Sequence, residues 1–263
     1  MPTVAHLSIT PVKSTALHHP DQVLLERSGV AENRRFYFVN DRGRLFGGTR
    51  NGRLVAIHSD YDPVEEWLSL RFPDGSVAEG RAEAIGPVES TVFWGRPVLA
   101  REVAGPYSKA ASEFLGQTVR LLRTELDGDG VDSHAASLVS SASIRELSKQ
   151  VGDAVDARRF RMLVEVEGVG PHEEDSWIGR PVSVGEAVIE VIRPNARCDF
   201  TRRDPDTGET DLETLRAIKA YRGLRDRKNI DFGVYADVLR PGRIRVGDDI
   251  RLLPQEAVAP SRG

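Results

Sequence analysis

Short segments in which apolar and polar residues alternate dominate the chain. A period of two is the pattern of a β-strand with one buried face. In the first half it predicts strands over residues 4–9, 22–26, 35–39, 54–57, 67–72, 91–94 and 98–103. Turn sequences follow two of them, at residues 40–43 and 73–75. Strands at such short and regular spacing indicate a β-sandwich or a β-barrel.

Helical periodicity is limited to three segments. Residues 107–115 end at a glycine, which suits a left-handed helix C-cap. Residues 141–148 carry Ser143 and Glu146 in the order of a capping box. Residues 211–221 repeat apolar side chains on one helical face.

The second half of the chain is again rich in predicted strands. They cover residues 162–166, 188–192, 232–238 and 250–253, with a short strand between two turns in 240–248. A polar, glycine-rich loop at 125–130 predicts a division into domains 1–125 and 126–254. The proline-containing tail, 255–263, is predicted to be disordered. The expected fold class is mainly β with a few helices.

Composition excludes several classes of protein. The net charge is −4, with 29% charged and 40% hydrophobic residues, which is ordinary for a globular protein and gives no sign of nucleic-acid binding. No apolar stretch approaches the roughly 18 residues of a membrane span. The alternating segment 1–17 does not resemble a signal peptide, so we expect a cytoplasmic protein.

The single cysteine, Cys198, is the residue most suggestive of chemistry. It follows Arg193 and Arg197, and nearby positive charge stabilises a thiolate. A thiolate is a soft ligand for a transition metal. The alternative is a small buried side chain with no chemistry. The six histidines lack zinc-motif spacing, and no phosphate-binding loop or serine nucleophile motif occurs.

An ordered set of motifs resembles one family along nearly the whole chain. The segments read PVKS, RRF, a counterpart of FRPN, EDSW followed by IG, RC followed by DPDTG, and two closing strands. They lie at residues 9–14, 33–37, 157–161, 174–179, 197–208, 232–235 and 241–248. In this order they resemble the MOSC proteins with an N-terminal β-barrel domain, which include the amidoxime-reducing components.

The resemblance implies a β-barrel MOSC fold, an N-terminal β-rich domain and a molybdenum cofactor. Cys198 would ligate the metal, and an anionic phosphorylated pterin, molybdopterin, would need fixed cations around it. We expect Asp175 or Asp199 to relay protons in catalysis, although Asp199 could also simply face solvent. The expected cofactor-binding residues are Lys13, Ser14, Arg35, Ser143, Arg161 and Arg197. No pyridoxal phosphate, haem or zinc is expected.

The sequence departs from the family pattern in two places. Asn195 and Ala196 precede Arg197 where a serine is usual, and Leu163 stands where FRPN has its asparagine. Each motif also has a purely structural interpretation. Lys13 and Ser14 could be a solvated surface pair, Arg34 and Arg35 could point to opposite faces of a strand, and residues 158–161 could be a surface basic run. Residues 175–176 and 204–208 could be turns.

Three functions follow from these readings. The first is reduction of small N-hydroxylated substrates such as amidoximes, hydroxylamines and N-hydroxylated bases, with electrons from a separate ferredoxin or flavoprotein-type donor. The second is a carrier that binds the cofactor, or carries sulfur on Cys198, without redox turnover. The third is a thiol enzyme with Cys198 as its nucleophile. None of them requires a nucleic acid or a membrane as partner.

Overall fold

β-Strands form most of the regular structure in the computed structural model, which describes residues 1–255. The predicted class, mainly β with a few helices, is confirmed. The predicted disordered tail lies outside the described residues, apart from Gln255. The strands are β1 (Thr3–Leu7), β2 (Gln22–Leu25), β3 (Phe36–Asn40), β4 (Leu45–Phe46), β5 (His58–Asp62), β6 (Trp67–Arg71), β7 (Val77–Arg81), β8 (Ala84–Phe93), β9 (Arg96–Val103), β10 (Val119–Thr124), β11 (Ala136–Ser140), β12 (Val164–Glu167), β13 (Pro181–Val184), β14 (Ala187–Ala196), β15 (Asp231–Arg240), β16 (Gly242–Arg245) and β17 (Ile250–Leu252).

A seven-stranded sheet, ordered β1-β12-β11-β15-β14-β13-β17, is the larger layer. Its two outer strands approach each other, because the Val4 N–H donates to the Asp248 carbonyl at 2.9 Å and the Ile250 N–H to the Pro2 carbonyl at 2.9 Å. The sheet is therefore a nearly closed barrel. The strands β1 and β2 pair with β12 and β16, so the N-terminus is part of the structure formed by the second half of the chain.

A five-stranded sheet, β4-β3-β10-β9-β8, and the meander β5-β6-β7 make up the rest of the first half. Their shared core is aromatic, with Phe36, Phe38, Phe72 and Tyr107 buried. The Tyr107 hydroxyl donates a hydrogen bond to the Leu68 carbonyl at 3.1 Å. This bond attaches the helix that begins at Tyr107 to the meander. This aromatic core is separate from that of the seven-stranded sheet, which includes Val4 and Leu7 of β1 and Val23 and Leu25 of β2.

Three α-helices are present in residues 1–255: α1 (Tyr107–Leu115), α2 (Ser141–Val151) and α3 (Thr214–Arg222). The helix predicted over 107–115 is confirmed, with Gly116 in the left-handed C-cap conformation at φ 66°. The prediction that Ser143 and Glu146 form a capping box at the start of α2 is wrong. The N-cap of α2 is Ser140, whose hydroxyl accepts from the Ser143 N–H, three residues before the predicted position.

Other elements differ from the pattern for local physical reasons. Of residues 54–57, predicted as a strand, the first three belong to a 3-10 helix, Gly52–Ala56, and Ile57 is its C-cap; the Asn51 side chain accepts from the Arg53 N–H. The strand β11 was not predicted because all five of its residues are buried and show no alternation. It pairs in parallel with β12 and antiparallel with β15, and a central strand covered on both faces loses the period of two.

Candidate functional site

A cleft of about 560 Å³ is lined by residues from both halves of the chain. This is the size range of small-molecule sites. Five of the predicted site residues reach it: Lys13, Ser14, Arg161, Arg197 and Cys198. Arg34, Asp132, Arg193, His134 and Tyr235 also line it. Residues up to 222 positions apart in sequence, Lys13 and Tyr235, therefore meet at one surface.

The loop that carries Lys13 and Ser14 is held by buried hydroxyl groups. The Thr15 hydroxyl lies 2.8 Å from the Thr10 hydroxyl and 2.8 Å from that of Ser59, and all three side chains are fully buried. Ser14 has a left-handed backbone, φ 73°, and its hydroxyl accepts from the Gly48 N–H at 3.0 Å. This geometry fixes both side chains at the cleft before any ligand binds.

Lys13 is a buried cation with one carboxylate partner. Its ammonium group lies 2.8 Å from Asp132 Oδ1 and donates to the Gly130 carbonyl at 2.8 Å. Burial lowers the pKa of Lys13 to about 8, although the charge of Asp132 opposes the change. Burial alone would raise the pKa of Asp132, but the positive charges of Lys13 and Arg34 outweigh it and lower that pKa well below its usual range.

Arg161 enters the cleft because the chain changes direction there. It follows the 3-10 helix Ala157–Phe160 and has a left-handed backbone, φ 52°. Its guanidinium donates to the Thr15 carbonyl at 2.7 Å and lies 5.4 Å from the centre of the Phe200 ring. Arg34 donates to the Arg161 carbonyl at 3.0 Å. Burial and the charge of Arg34 lower the pKa of Arg161 to about 9.

Cys198 and Arg197 follow the end of β14. The thiol is exposed, and the residue precedes the 3-10 helix Asp199–Arg202. Arg197 donates to the Phe160 carbonyl at 2.6 Å and lies 5.3 Å from the centre of the Phe160 ring. Asn195, which stands where the family pattern differs, is buried and places its amide nitrogen 3.3 Å from the sulfur of Met162. The thiol is therefore presented from a rigid base.

The cleft carries an excess of positive charge. Within residues 1–255, Arg34, Arg161 and Arg197 form no ion pair with a carboxylate, and Asp132 is the partner of Lys13. The Nε atom of Arg197 is buried without a hydrogen-bond partner, and burial lowers the pKa of this guanidinium. Buried charges that lack partners are unfavourable, so an anionic ligand would be stabilised here.

Two predicted residues near this cleft in sequence lie outside its lining. Arg35 donates to the Thr124 hydroxyl at 3.2 Å and pairs with Asp127 at 2.8 Å. Arg34 occupies the cleft in its place. Asp199 is exposed and pairs with Arg202, three residues later, at 2.8 Å. The roles predicted for Arg35 and Asp199 have no support from their positions.

Ser143 and Asp175 belong to a second polar cluster outside the cleft. The Ser143 hydroxyl donates to Glu174 Oε1 at 3.0 Å and accepts from the His172 N–H at 2.8 Å. Asp175 accepts a hydrogen bond from Arg222, which also contacts His172. Burial raises the pKa of Glu174, and burial with the Arg222 charge lowers the pKa of His172 to about 4. The cluster holds α2 and α3 together.

Sequence reasoning missed six charged or titratable residues of the cleft: Arg34, Arg96, Asp132, His134, Arg193 and Tyr235. Arg34 and Arg193 were visible as members of basic segments, but nothing in their spacing indicates which arginine of each segment faces inward. Asp132 and His134 follow the glycine-rich loop 125–130. A polar loop at the junction of two halves is a common place for a site, and this is the signal that could have found them.

Comparison with known proteins decides the family. The profile of the MOSC N-terminal beta barrel domain matches residues 1–119, and that of the MOSC domain matches residues 125–251. A mitochondrial amidoxime reducing component 2 from Rattus norvegicus is 32% identical over 255 residues, covering 85% of this chain and 74% of that protein. The chain belongs to the MOSC family, in the group with an N-terminal MOSC barrel.

Other known proteins are similar at lower identity or over part of their length. Mitochondrial amidoxime-reducing component 1 from Mus musculus is 27% identical, covering 96% of this chain and 83% of that protein. A molybdenum cofactor sulfurase from Caenorhabditis elegans is 32% identical, covering 89% of this chain and 33% of that protein. The YuaD protein from Bacillus subtilis has 14% identity and a TM-score of 0.44, covering 95% of this chain and 94% of that structure.

The helices give no sign of membrane insertion. Across residues 1–255, each is too short or too polar to span a bilayer.

Proposed function

We propose that this MOSC protein is a molybdenum-cofactor oxidoreductase that reduces N-hydroxylated substrates. One observation supports this proposal most strongly. The exposed thiol of Cys198 shares one cleft with four cationic side chains, those of Lys13, Arg34, Arg161 and Arg197. A soft metal ligand beside an excess of positive charge suits a metal held by an anionic organic group. The amidoxime-reducing relatives supply the substrate class.

The residues present fit such a cofactor. The Nε atom of Arg197 is buried without a partner, and Arg34, Arg161 and Arg197 form no ion pair with a carboxylate of residues 1–255, so the site has unused donors and unbalanced charge. The left-handed Ser14 brings a neutral hydroxyl next to Lys13. These groups are the donors that a phosphorylated pterin requires. Among the residues proposed to bind the cofactor, Arg34, which lines the cleft, takes the place of the predicted Arg35.

When bound, the cofactor would supply two-electron redox chemistry at the metal. Cys198 would ligate the metal, and Lys13, Arg34, Arg161 and Arg197 would bind the phosphate and pterin. The protein then positions the substrate and controls protons in a site with few competing carboxylates. Electrons would come from a separate ferredoxin or flavoprotein-type donor. We extend the proposal to a cytoplasmic location and to a domain division at residues 125–126.

A second candidate function is carriage of sulfur or of the cofactor. The exposed thiol of Cys198 and the similarity to a molybdenum cofactor sulfurase favour it. A carrier would hold a persulfide on Cys198 without catalytic turnover. The thiol and the cations serve both functions equally well.

Turnover separates the two candidates. Protein from a host that makes the cofactor would be incubated with an amidoxime and dithionite-reduced methyl viologen. Catalytic conversion of the amidoxime to the amidine by the wild type, absent in Cys198→Ala, supports the reductase. Binding of the cofactor without turnover, together with a persulfide on Cys198 by mass spectrometry, would overturn it in favour of the carrier.

A further inference from the structure

At one edge of the cleft, the imidazole of His134 lies between a carboxylate, that of Asp237, and a guanidinium, that of Arg193. His134 Nδ1 lies 2.8 Å from Asp237 Oδ1 on β15, and Arg193 Nε on β14 donates to His134 Nε2 at 3.0 Å. The His134 side chain is 18% exposed, whereas that of Asp237 is 52% exposed. His134 and Arg193 line the same cleft as Cys198. Asp237 thus connects the imidazole to solvent.

The contacts determine the proton positions on His134. A guanidinium has N–H donors and no acceptor, so His134 Nε2 must accept from Arg193 as a bare nitrogen. The proton of the neutral ring is then on Nδ1, where it is donated to the Asp237 carboxylate. A carboxylate behind Nδ1 orients an imidazole and stabilises its protonated form. Nε2 can exchange a proton with a substrate once Arg193 no longer donates to it.

The remaining groups that face His134 support this arrangement. The Tyr235 ring lies 5.3 Å from the imidazole, and burial raises the pKa of its hydroxyl, so Tyr235 remains neutral. Arg193 is also held by the Ser133 hydroxyl at 2.7 Å and lies 5.1 Å from the Tyr235 ring centre. When Nε2 takes up a proton it can no longer accept from Arg193. These two contacts then keep the guanidinium at the cleft, with its Nε available to a substrate oxygen.

We propose that His134 donates a proton to the substrate oxygen, with Asp237 as the residue that positions it. This inference rests on the proposed function. Cleavage of the N–O bond of an N-hydroxylated substrate consumes two electrons and two protons and yields the N–H compound and water. The electrons come from the separate donor protein. One proton passes from His134 Nε2 to the departing oxygen, which leaves as water, and the second comes from solvent to nitrogen.

The test compares rate with pH for matched variants. In wild-type holoenzyme, with an amidoxime and reduced methyl viologen, kcat should fall as pH rises, because only a protonated Nε2 of His134 can donate to the substrate. His134→Gln should lower kcat by about 100-fold or more and remove this falling limb. Asp237→Asn should move the limb to lower pH, because the negative charge that favours the imidazolium is gone. The matched control is His6→Gln, at an exposed site, which should keep the wild-type profile.

Molybdenum content separates a proton donor from a structural residue. The proposal expects His134→Gln to hold as much molybdenum per chain as the wild type. Loss of metal in this variant, or an unchanged pH profile with wild-type kcat, would overturn the role of His134 while the proposed function stands. A wild type without turnover overturns the proposed function and this role with it. If His134→Gln does not fold, Asp237→Asn provides the test. A pH profile of kcat in Asp237→Asn identical to that of the wild type would then contradict the role of His134.

Discussion

Replacing Arg161 with methionine should make the ligand-free protein more stable. A pKa lowered from 12.5 to about 9 corresponds, at about 1.4 kcal/mol for each tenfold change in an equilibrium constant, to an upper limit of about 5 kcal/mol of unfavourable charge burial. The substitution also removes the hydrogen bond to the Thr15 carbonyl and the contact with Phe200. These losses are worth about 1–3 kcal/mol together, so we expect a net gain of at most about 2–4 kcal/mol.

Urea unfolding of the apo protein measures this gain directly. The neighbouring Arg159 provides the control, because it is 5% exposed and donates twice to Asp211 at 2.6 Å. Removal of a paired cation leaves its partner unsatisfied, so Arg159→Met should destabilise the protein by about 2 kcal/mol. The substitutions of Arg159 and Arg161 should thus change the free energy of unfolding in opposite directions.

The pH dependence adds a second check. A folded-state pKa below the unfolded value means that the penalty is fully present below about pH 9 and is relieved as pH rises through the folded pKa. The advantage of Arg161→Met over the wild type should therefore be constant from pH 7 to about 9 and shrink above it. A destabilised Arg161→Met protein would refute the claim that Arg161 is an uncompensated charge.

Two further predictions follow from the other shifted groups. Because the pKa of Lys13 is about 8, binding of inorganic pyrophosphate measured by calorimetry should weaken as pH rises past about 8, and Lys13→Met should bind more weakly and lose this dependence. An unchanged affinity in that variant would contradict the assignment of Lys13. Because burial raises the pKa of Glu174, its folded form keeps a proton that the unfolded form loses, so wild-type stability should decline as pH rises above the ordinary glutamate range. Glu174→Gln should abolish that decline in urea unfolding between pH 4 and 7, and an identical slope in both proteins would contradict a neutral Glu174.

The period of two predicted most strands because one face of each is buried. It failed where a residue departs from simple strand geometry. Arg34 has a left-handed backbone, φ 58°, and β3 begins at Phe36, so alternation does not decide whether Arg34 or Arg35 faces inward. The five buried residues of β11 hide that strand for the opposite reason, since both of its faces are covered.

The candidate site was predictable only as far as its motifs. The positions of Lys13, Ser14, Arg161, Arg197 and Cys198 agree with the family pattern and share one cleft. Closeness to Cys198 in sequence does not bring Asp199 into the cleft lining, because Asp199 begins a 3-10 helix and pairs with Arg202. His134 was missed since its partners, Arg193 and Asp237, lie 59 and 103 residues further along the chain.

Molybdenum analysis of matched proteins tests the central claim most directly. Wild type and Cys198→Ala would be made in a host that synthesises the cofactor, and metal per chain would be measured by elemental analysis. Since the thiol is exposed, Cys198→Ala should change the free energy of unfolding by less than about 0.5 kcal/mol. The account predicts close to one molybdenum per wild-type chain and its loss in the equally stable variant. Equal metal content in the two proteins, or none in either, would contradict it.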